Sequence, residues 1–370
     1  MKKYGVIAFK NTQNIGDDIQ TYASTKLLPK VDYFIERESL NEFVSKDGEY
    51  VNTIMNGWYI HDIYSFPPSK FINPLMISMH FTNHLYDTCP EYIGDLFLQY
   101  LKNHSPIGCR DSLLKKYFDE NKVKNYFSGC LTLTINPFNN VKKDNYVCAV
   151  DISDEELAHL KKIEKNNIKI ITHFLDNKEN SKISYEERMK NVENLLKIYQ
   201  GAKYVVTSRL HCALPCLAIN EPVILIKKDN IDNRNRMGDF YKYLFTISSL
   251  DFIKGKIDSL LKNGFANKDI YLNIRKKLLS TVDNFLKYDC IEYKKNIELK
   301  ELYINDTVNL KKYFKYLSEF QRKNINIQIE ELKKQYNDLY TVYQTNIKIS
   351  NDRINKLKNN LILVENEIKK

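Results

Sequence analysis

A chain of 370 residues with 43% hydrophobic content exceeds what one core usually organises, so two packed domains plus an appendage are expected. Its net charge of +10 is spread along the chain and gathers in no single basic arm with interleaved aromatics. That argues against nucleic acid as a partner and leaves phosphorylated substrates or anionic lipid surfaces. Seven cysteines, an odd count without regular spacing, describe no disulfide framework, and no Cys-x-x-Cys or paired-His motif suggests a metal.

The first expected strand is Tyr4–Phe9, and Asn14-Ile15-Gly16-Asp17-Asp18 then opens a helix running through Ala23. Further strands are expected at Val31–Ile35, Val51–Trp58, Leu75–Phe81, Pro106–Cys109 and Tyr126–Phe127, with helices at Ile93–Leu101 and Ser112–Phe118. Strands alternating with helices imply a parallel, doubly wound sheet. Arg110, in Ile107-Gly108-Cys109-Arg110-Asp111, then stands at a strand end. After Ser128-Gly129-Cys130-Leu131-Thr132-Leu133-Thr134, the stretch Pro137-Phe138-Asn139-Asn140 reads as a linker, closing a first domain over residues 1–140.

A second domain, 141–295, restarts at Tyr146–Val150. Ser153 followed by Asp154, Glu155 and Glu156 is a helix cap with an acidic first turn. Ile168–Phe174 reads as a strand and Tyr185–Ile198 as a long helix. The uncharged, β-branched run Tyr204-Val205-Val206-Thr207 reads as a buried parallel strand. Ala213, Leu214, Leu217 and Ala218 recur at helical spacing until Asn220-Glu221-Pro222 breaks the helix, and Val223–Ile226 is the next strand. Cys212 and Cys216, four apart on that helix, read as small buried thiols. No Gly-x-Gly-x-x-Gly follows any strand, so no dinucleotide cofactor is indicated.

The remaining residues, 296–370, form a helical tail. Its apolar seam runs Ile329, Leu332, Tyr336, Leu339, Tyr343, Ile347, Ile354, Leu357, Leu361, Val364 and Ile368, with Ser350 at one seam position and a stutter after Tyr343. The spacing predicts a coiled coil from about residue 325 and, with it, a homo-oligomer; one long amphipathic helix laid over the catalytic domains is the competing reading. The Met1-Lys2-Lys3 start lacks a signal-peptide cleavage region, and no run reaches the ~20 apolar residues of a spanning helix, so a cytoplasmic location is expected.

Chemistry concentrates at Ser208-Arg209-Leu210-His211, between a strand and a helix. Open α/β sheets bind ligands in crevices at such strand ends, and helix amino termini favour anions. A cation and an imidazole there suit an acidic substrate beside an acid–base histidine. His80 and His173, at other expected strand ends, are secondary candidates.

Thr207-Ser208-Arg209-Leu210-His211, its small-residue helix and Asn220-Glu221-Pro222-Val223-Ile224-Leu225-Ile226 together resemble the polysaccharide pyruvyl transferase family. So do the amino-terminal Asn14-x-Gly16-Asp17, the strand-end Arg110 and the Ser128–Thr134 element, in the right order over roughly residues 1 to 290. The resemblance implies two Rossmann-like domains facing a cleft, the GT-B-like layout, with 1–140 on the acceptor side and 141–295 on the donor side. It implies transfer of pyruvate from phosphoenolpyruvate, as co-substrate and without a cofactor, to sugar hydroxyls of a cell-surface glycan or lipid-linked saccharide, forming a ketal. A lipid-linked acceptor would bring the enzyme to the inner membrane face as a peripheral protein.

Phosphoenolpyruvate carries a phosphate and a carboxylate, and arginine's planar fork suits both. Arg209 and Arg110 are therefore expected to clamp it, with Ser208 and Asn14 as further substrate-binding residues. His211 is the expected general acid, because an imidazole titrates near neutrality. Asp17 is the expected base or acceptor-binding group, ahead of Asp18, although an acidic residue at a helix start is commonly a cap. The family's loop lysine has no clear counterpart among Lys227, Lys228, Arg234 and Arg236. Two other functions stay open: a glycosyltransferase of the same fold using an activated sugar, and a non-catalytic coiled-coil assembly factor of a glycan locus.

Overall fold

In a computed structural model of the chain, the residues described are 2–59, 65–81, 95–165, 167–176, 180–227 and 237–287. Beyond them come 325, 328–337, 339–341, 343–345, 347–348 and 350–358. Two compact units divide it, Met1–Glu298 and Leu299–Lys370.

The first unit holds two sheets. One is built from β1 (Lys3–Ala8), β2 (Tyr33–Glu36), β3 (Val51–Tyr59), β4 (Ile72–Phe81), β5 (Ile107–Cys109) and β6 (Asn125–Phe127) in the order β2-β1-β3-β4-β5-β6. The other is built from β7 (Val147–Val150), β8 (Ile168–Ile171), β9 (Val205–Thr207), β10 (Val223–Lys227) and β11 (Phe245–Ser248) in the order β11-β10-β9-β7-β8. Every strand pair is parallel. In both sheets the first strand has its successor on one side and the third strand on the other. The winding direction reverses there, and a reversal opens a crevice beyond the strand ends where ligands bind.

Helices α1 (Ile15–Thr25), α2 (Asp95–Asn103), α3 (Ser112–Glu120), α4 (Asp154–Glu164), α5 (Tyr185–Gly201), α6 (Leu210–Ala218) and α10 (Leu272–Lys287) connect and cover the strands; short α7–α9 (Gly238–Tyr241, Ser249–Ile253, Asp258–Asn263) precede the last. Caps fix several starts. Ser153 makes a full capping box with Glu156 on α4, and Asp111 accepts from the Leu114 amide at the start of α3.

Side chains alternate across a strand, and here the alternation sorts the core into three clusters. Val6 and Ile54 of the first sheet share a central cluster with Cys148, Val150, Val205 and Leu225 of the second, filled between them by α1, α5, α6 and the Leu131–Thr134 turn of 3-10 helix. Ile7, Met55 and Met79 face a separate cluster on the outer side of the first sheet. Val147, Ala149, Val206 and Ile224 do the same for the second. The linker expected at residues 137–140 does lie between the sheets, but the central core crosses it.

One expected strand is shorter than its sequence suggests. Ile168–Phe174 is ladder only to Ile171, because the Asp151 carboxylate accepts from the Thr172 hydroxyl at 2.8 Å and the His173 amide at 3.1 Å and draws the chain aside. The diverted segment pairs antiparallel with the start of α1 through an Asn14–Phe174 bridge. Ile15 N donates to His173 O at 2.9 Å and Leu175 N to Gln13 O at 2.8 Å, so backbone from the two halves is joined directly.

In the second unit, residues 328–337 and 350–358 are helical, and Ile329, Leu332, Tyr336, Leu339, Tyr343, Ile347, Ile354 and Leu357 are exposed. The expected seam positions Leu361, Val364 and Ile368 lie outside the described residues. Among the described residues no helix is long and apolar enough to cross a membrane.

Candidate functional site

Asp151, Thr172 and Ser208 directly follow β7, β8 and β9, so the winding reversal of the second sheet gathers them at its carboxyl edge. Asp151 adopts φ of 50°, a left-handed conformation that aspartate tolerates better than most residues. In that position its main-chain carbonyl accepts from Ser208 Oγ at 2.5 Å, while its carboxylate takes Arg209 Nε at 2.7 Å. The Arg209 guanidinium also lies 4.4 Å from the centre of the Phe174 ring. Arg209 is thus gripped along one edge and one face, leaving its two terminal nitrogens as the fork for an anion. The bonds to Thr172, His173 and Arg209 hold the Asp151 carboxyl below its usual range against the opposing effect of burial.

Arg209 is also the N-cap of α6, and His211 lies in the first turn of that helix. Opposite stands the amino end of α1, capped by Asn14, whose Oδ1 accepts from the Gly16 amide at 3.0 Å. The capping role weighed for Asp17 belongs to Asn14. The approach of the two helices is close. A Cβ added at Gly16 would lie 3.1 Å from His211 Cβ and 3.3 Å from its Nδ1. Gly16→Ala should therefore leave the fold intact, since its Cβ would crowd only the Asn14 Oδ1 at 3.0 Å and the His211 side chain, yet displace His211 by a few tenths of an ångström. If His211 takes part in chemistry, activity should fall several-fold, because misplacing a reacting group is costly. An unchanged turnover number in steady-state assays would remove His211 from the chemistry or show that it moves freely.

Asp17 accepts from Thr12 Oγ1 at 2.6 Å and from Gln20 Nε2 at 3.3 Å. Burial raises its carboxyl above the ordinary range, and the Thr12 hydroxyl and the charges of Arg37, Arg110 and Arg188 pull back only part of the way. Gln20, buried, turns its other end to Arg110 and accepts from Nη1 at 3.2 Å. One hydrogen-bonded line therefore runs Thr12–Asp17–Gln20–Arg110, joining the ends of β1 and β5.

Asp18, the second of the two acidic candidates, is held in a buried ion pair. Arg188 of α5 holds it at 2.5 and 3.1 Å, and both side chains are buried. His80 and His173 are likewise held by buried partners. His80 Nδ1 meets Asp111 at 2.5 Å, and His173 Nε2 meets the Tyr199 hydroxyl at 2.8 Å, each within the core. Cys212 and Cys216 are wholly buried on the packed face of α6. Lys227 ends β10, while Lys228, Arg234 and Arg236 lie outside the described residues.

Arg209 thus stands at the winding reversal of its sheet and Arg110 at the end of β5 in the other, while α1 and α6 bring Gly16 against His211. Residues 14–230, more than half of the chain, match the family model of polysaccharide pyruvyl transferases. The chain belongs to the polysaccharide pyruvyl transferase family. It is a transferase, and all six candidate site residues fall inside the matched segment. No curated protein matches the chain.

For this pyruvyl transferase family member, the partners of the key residues were harder to foresee than the residues themselves. Asp151 and Gln20 orient Arg209 and Arg110 from 58 and 90 residues away, respectively. Arg37, placed by its bond to Trp58 O at 2.8 Å, adds a third cation acting on Asp17. The only local signal for Asp151 is an acidic residue at the end of a buried strand.

Proposed function

We propose that the protein transfers pyruvate from phosphoenolpyruvate to two hydroxyls of one sugar in a cell-surface glycan or its precursor, forming a ketal. The observation that carries this reading is the placing of Arg209 and His211 on one sheet's edge and Arg110 and Asp17 on the other's, joined through α1 and α6. Arg209 and Arg110 bind the phosphate and carboxylate, with Ser208 and Asn14 lining the same crevice. His211 delivers a proton to the methylene carbon, which becomes a methyl group, and the neighbouring carbon turns electrophilic. A sugar hydroxyl adds there as Asp17 takes its proton. Phosphate leaves, the second hydroxyl closes the ring, and of the two hydroxyl protons one restores His211 and the other departs as hydrogen phosphate. A carboxyl raised by burial suits Asp17 to accept a proton near neutral pH. No cofactor enters this scheme.

In this reading residues 1–140 form the acceptor side and 141–295 the donor side of a GT-B-like enzyme. Residues 296–370 carry a coiled coil that pairs copies of the chain. The enzyme works in the cytoplasm, peripherally at the membrane where its acceptor is lipid-linked.

Calorimetric titration of phosphoenolpyruvate tests the donor assignment. Wild type should bind, and Arg209→Ala and Arg110→Ala should each weaken binding at least about tenfold, since a charge-assisted contact contributes ~1.5–3 kcal/mol. A folded wild type that ignores phosphoenolpyruvate, with or without saccharide, yet takes up a sugar nucleotide would overturn the pyruvyl reading in favour of glycosyl transfer.

A further inference from the structure

Among the aromatic side chains of the first unit whose exposure is described, Phe174 is the only one left exposed; 64% of it is open to solvent. Isolated apolar residues on a surface are ordinary, but this one is neither loose nor remote. Its segment is pinned by the bridge to Asn14, by Ile15 N to His173 O, by Leu175 N to Gln13 O, and by its own amide to Thr172 Oγ1 at 3.1 Å. The ring itself is backed by the Arg209 guanidinium, which Asp151 fixes in turn. The result is a rigid aromatic shelf between Asn14 of one half and Arg209 of the other, with polar groups at its border.

A pyranose ring has the matching shape. Its axial C–H groups form an apolar patch that stacks on an aromatic face, while the equatorial hydroxyls around it meet polar groups at the rim. We propose that Phe174, which the donor half lends to the acceptor side through its bridge to Asn14, is the acceptor subsite: one pyranose ring of the saccharide stacks on it, which holds the reacting hydroxyls beside Asn14 and the Arg209-bound donor. This rests on the transferase reading above and adds the acceptor's place and chemical class. Phe174 then governs acceptor binding and leaves donor binding nearly alone.

Saturation-transfer NMR on the full chain tests it, with methyl pyranosides of glucose, galactose, mannose and their 2-acetamido derivatives as probes. Saturation should reach the ring C–H protons of at least one pyranoside in wild type and in Phe174→Tyr. In Phe174→Leu, which keeps apolar bulk without the π face, it should fall at least about twofold, the low end of ring-stacking contributions. Phosphoenolpyruvate affinity in Phe174→Leu should stay within about fivefold of wild type, the most that an exposed cation–π contact to Arg209 accounts for. Equal saturation in Phe174→Leu, no saturation of any probe in wild type, or ring-dependent saturation of uridine diphosphate alone would each overturn the subsite. A wild type that binds a pyranoside but not phosphoenolpyruvate would sink the donor reading and leave the shelf standing. The reverse pattern would sink the shelf alone.

Discussion

Arg188→Met should cost about 3–5 kcal/mol of folding stability at pH 8, the usual penalty for stranding one member of a buried ion pair. Arg188 grips both Asp18 oxygens and also donates to Phe9 O at 2.7 Å, tying α5 to α1 and to the end of β1. Burial pushes the Asp18 carboxyl up to about 6, and Arg188 offsets only part of that push. With the folded value above the unfolded one, the folded state retains a proton through the window from about 4 to about 6 that the unfolded chain has released. Stability from this group accordingly falls as pH rises through that window. Removing the cation raises the folded value further, so Arg188→Met takes up its proton first on acidification. Its deficit should be largest at pH 8 and shrink as pH falls toward 6, below which both folded forms carry the proton. Urea unfolding at pH 8 and pH 5.5 reads this directly, and a deficit that does not shrink would show that lost packing, not a stranded carboxylate, is the cause. The double change Asp18→Leu with Arg188→Met should recover much of the loss at pH 8, since an apolar pair strands no charge.

His211→Gln should lower phosphate release from phosphoenolpyruvate by about 10²–10⁴-fold, the range for loss of a general acid, with donor affinity nearly unchanged. Glutamine keeps the size and polarity of the first-turn side chain on α6 but cannot deliver a proton. Arg209→Ala should do the opposite, failing first in binding. The split between binding and turnover is the informative result: a residue that merely supports the helix would move both together. If His211→Gln releases phosphate within tenfold of wild type, the proton comes from elsewhere, and Asp17→Asn becomes the next variant to measure.

Much of this architecture is written in local pattern. Buried runs such as Val205–Thr207 and Val223–Ile226 announce parallel strands because both faces are covered, and Ser153 with Glu156 announces a helix start by its own chemistry. The candidate residues follow from strand ends alone, since the ends of a doubly wound sheet collect them. The missing part is long-range. Nothing near Gln20 says that its amide will span Asp17 and Arg110, and nothing near Asp18 announces Arg188, 170 residues away. Ile168–Phe174 has the composition of one strand, yet ends at Ile171 because the Asp151 carboxylate competes for Thr172 and His173. Side-chain competition of that kind depends on which loops meet, and the meeting is set by the packed whole.

The antiparallel bridge between Asn14 and Phe174 also ties the two sheets together at their strand ends. Two main-chain hydrogen bonds and the neighbouring Asp18–Arg188 pair fasten the sheets there. Separating the two sheets at that point would mean breaking those main-chain bonds and exposing a buried ion pair together, so the tie resists a hinge there more than either contact would alone.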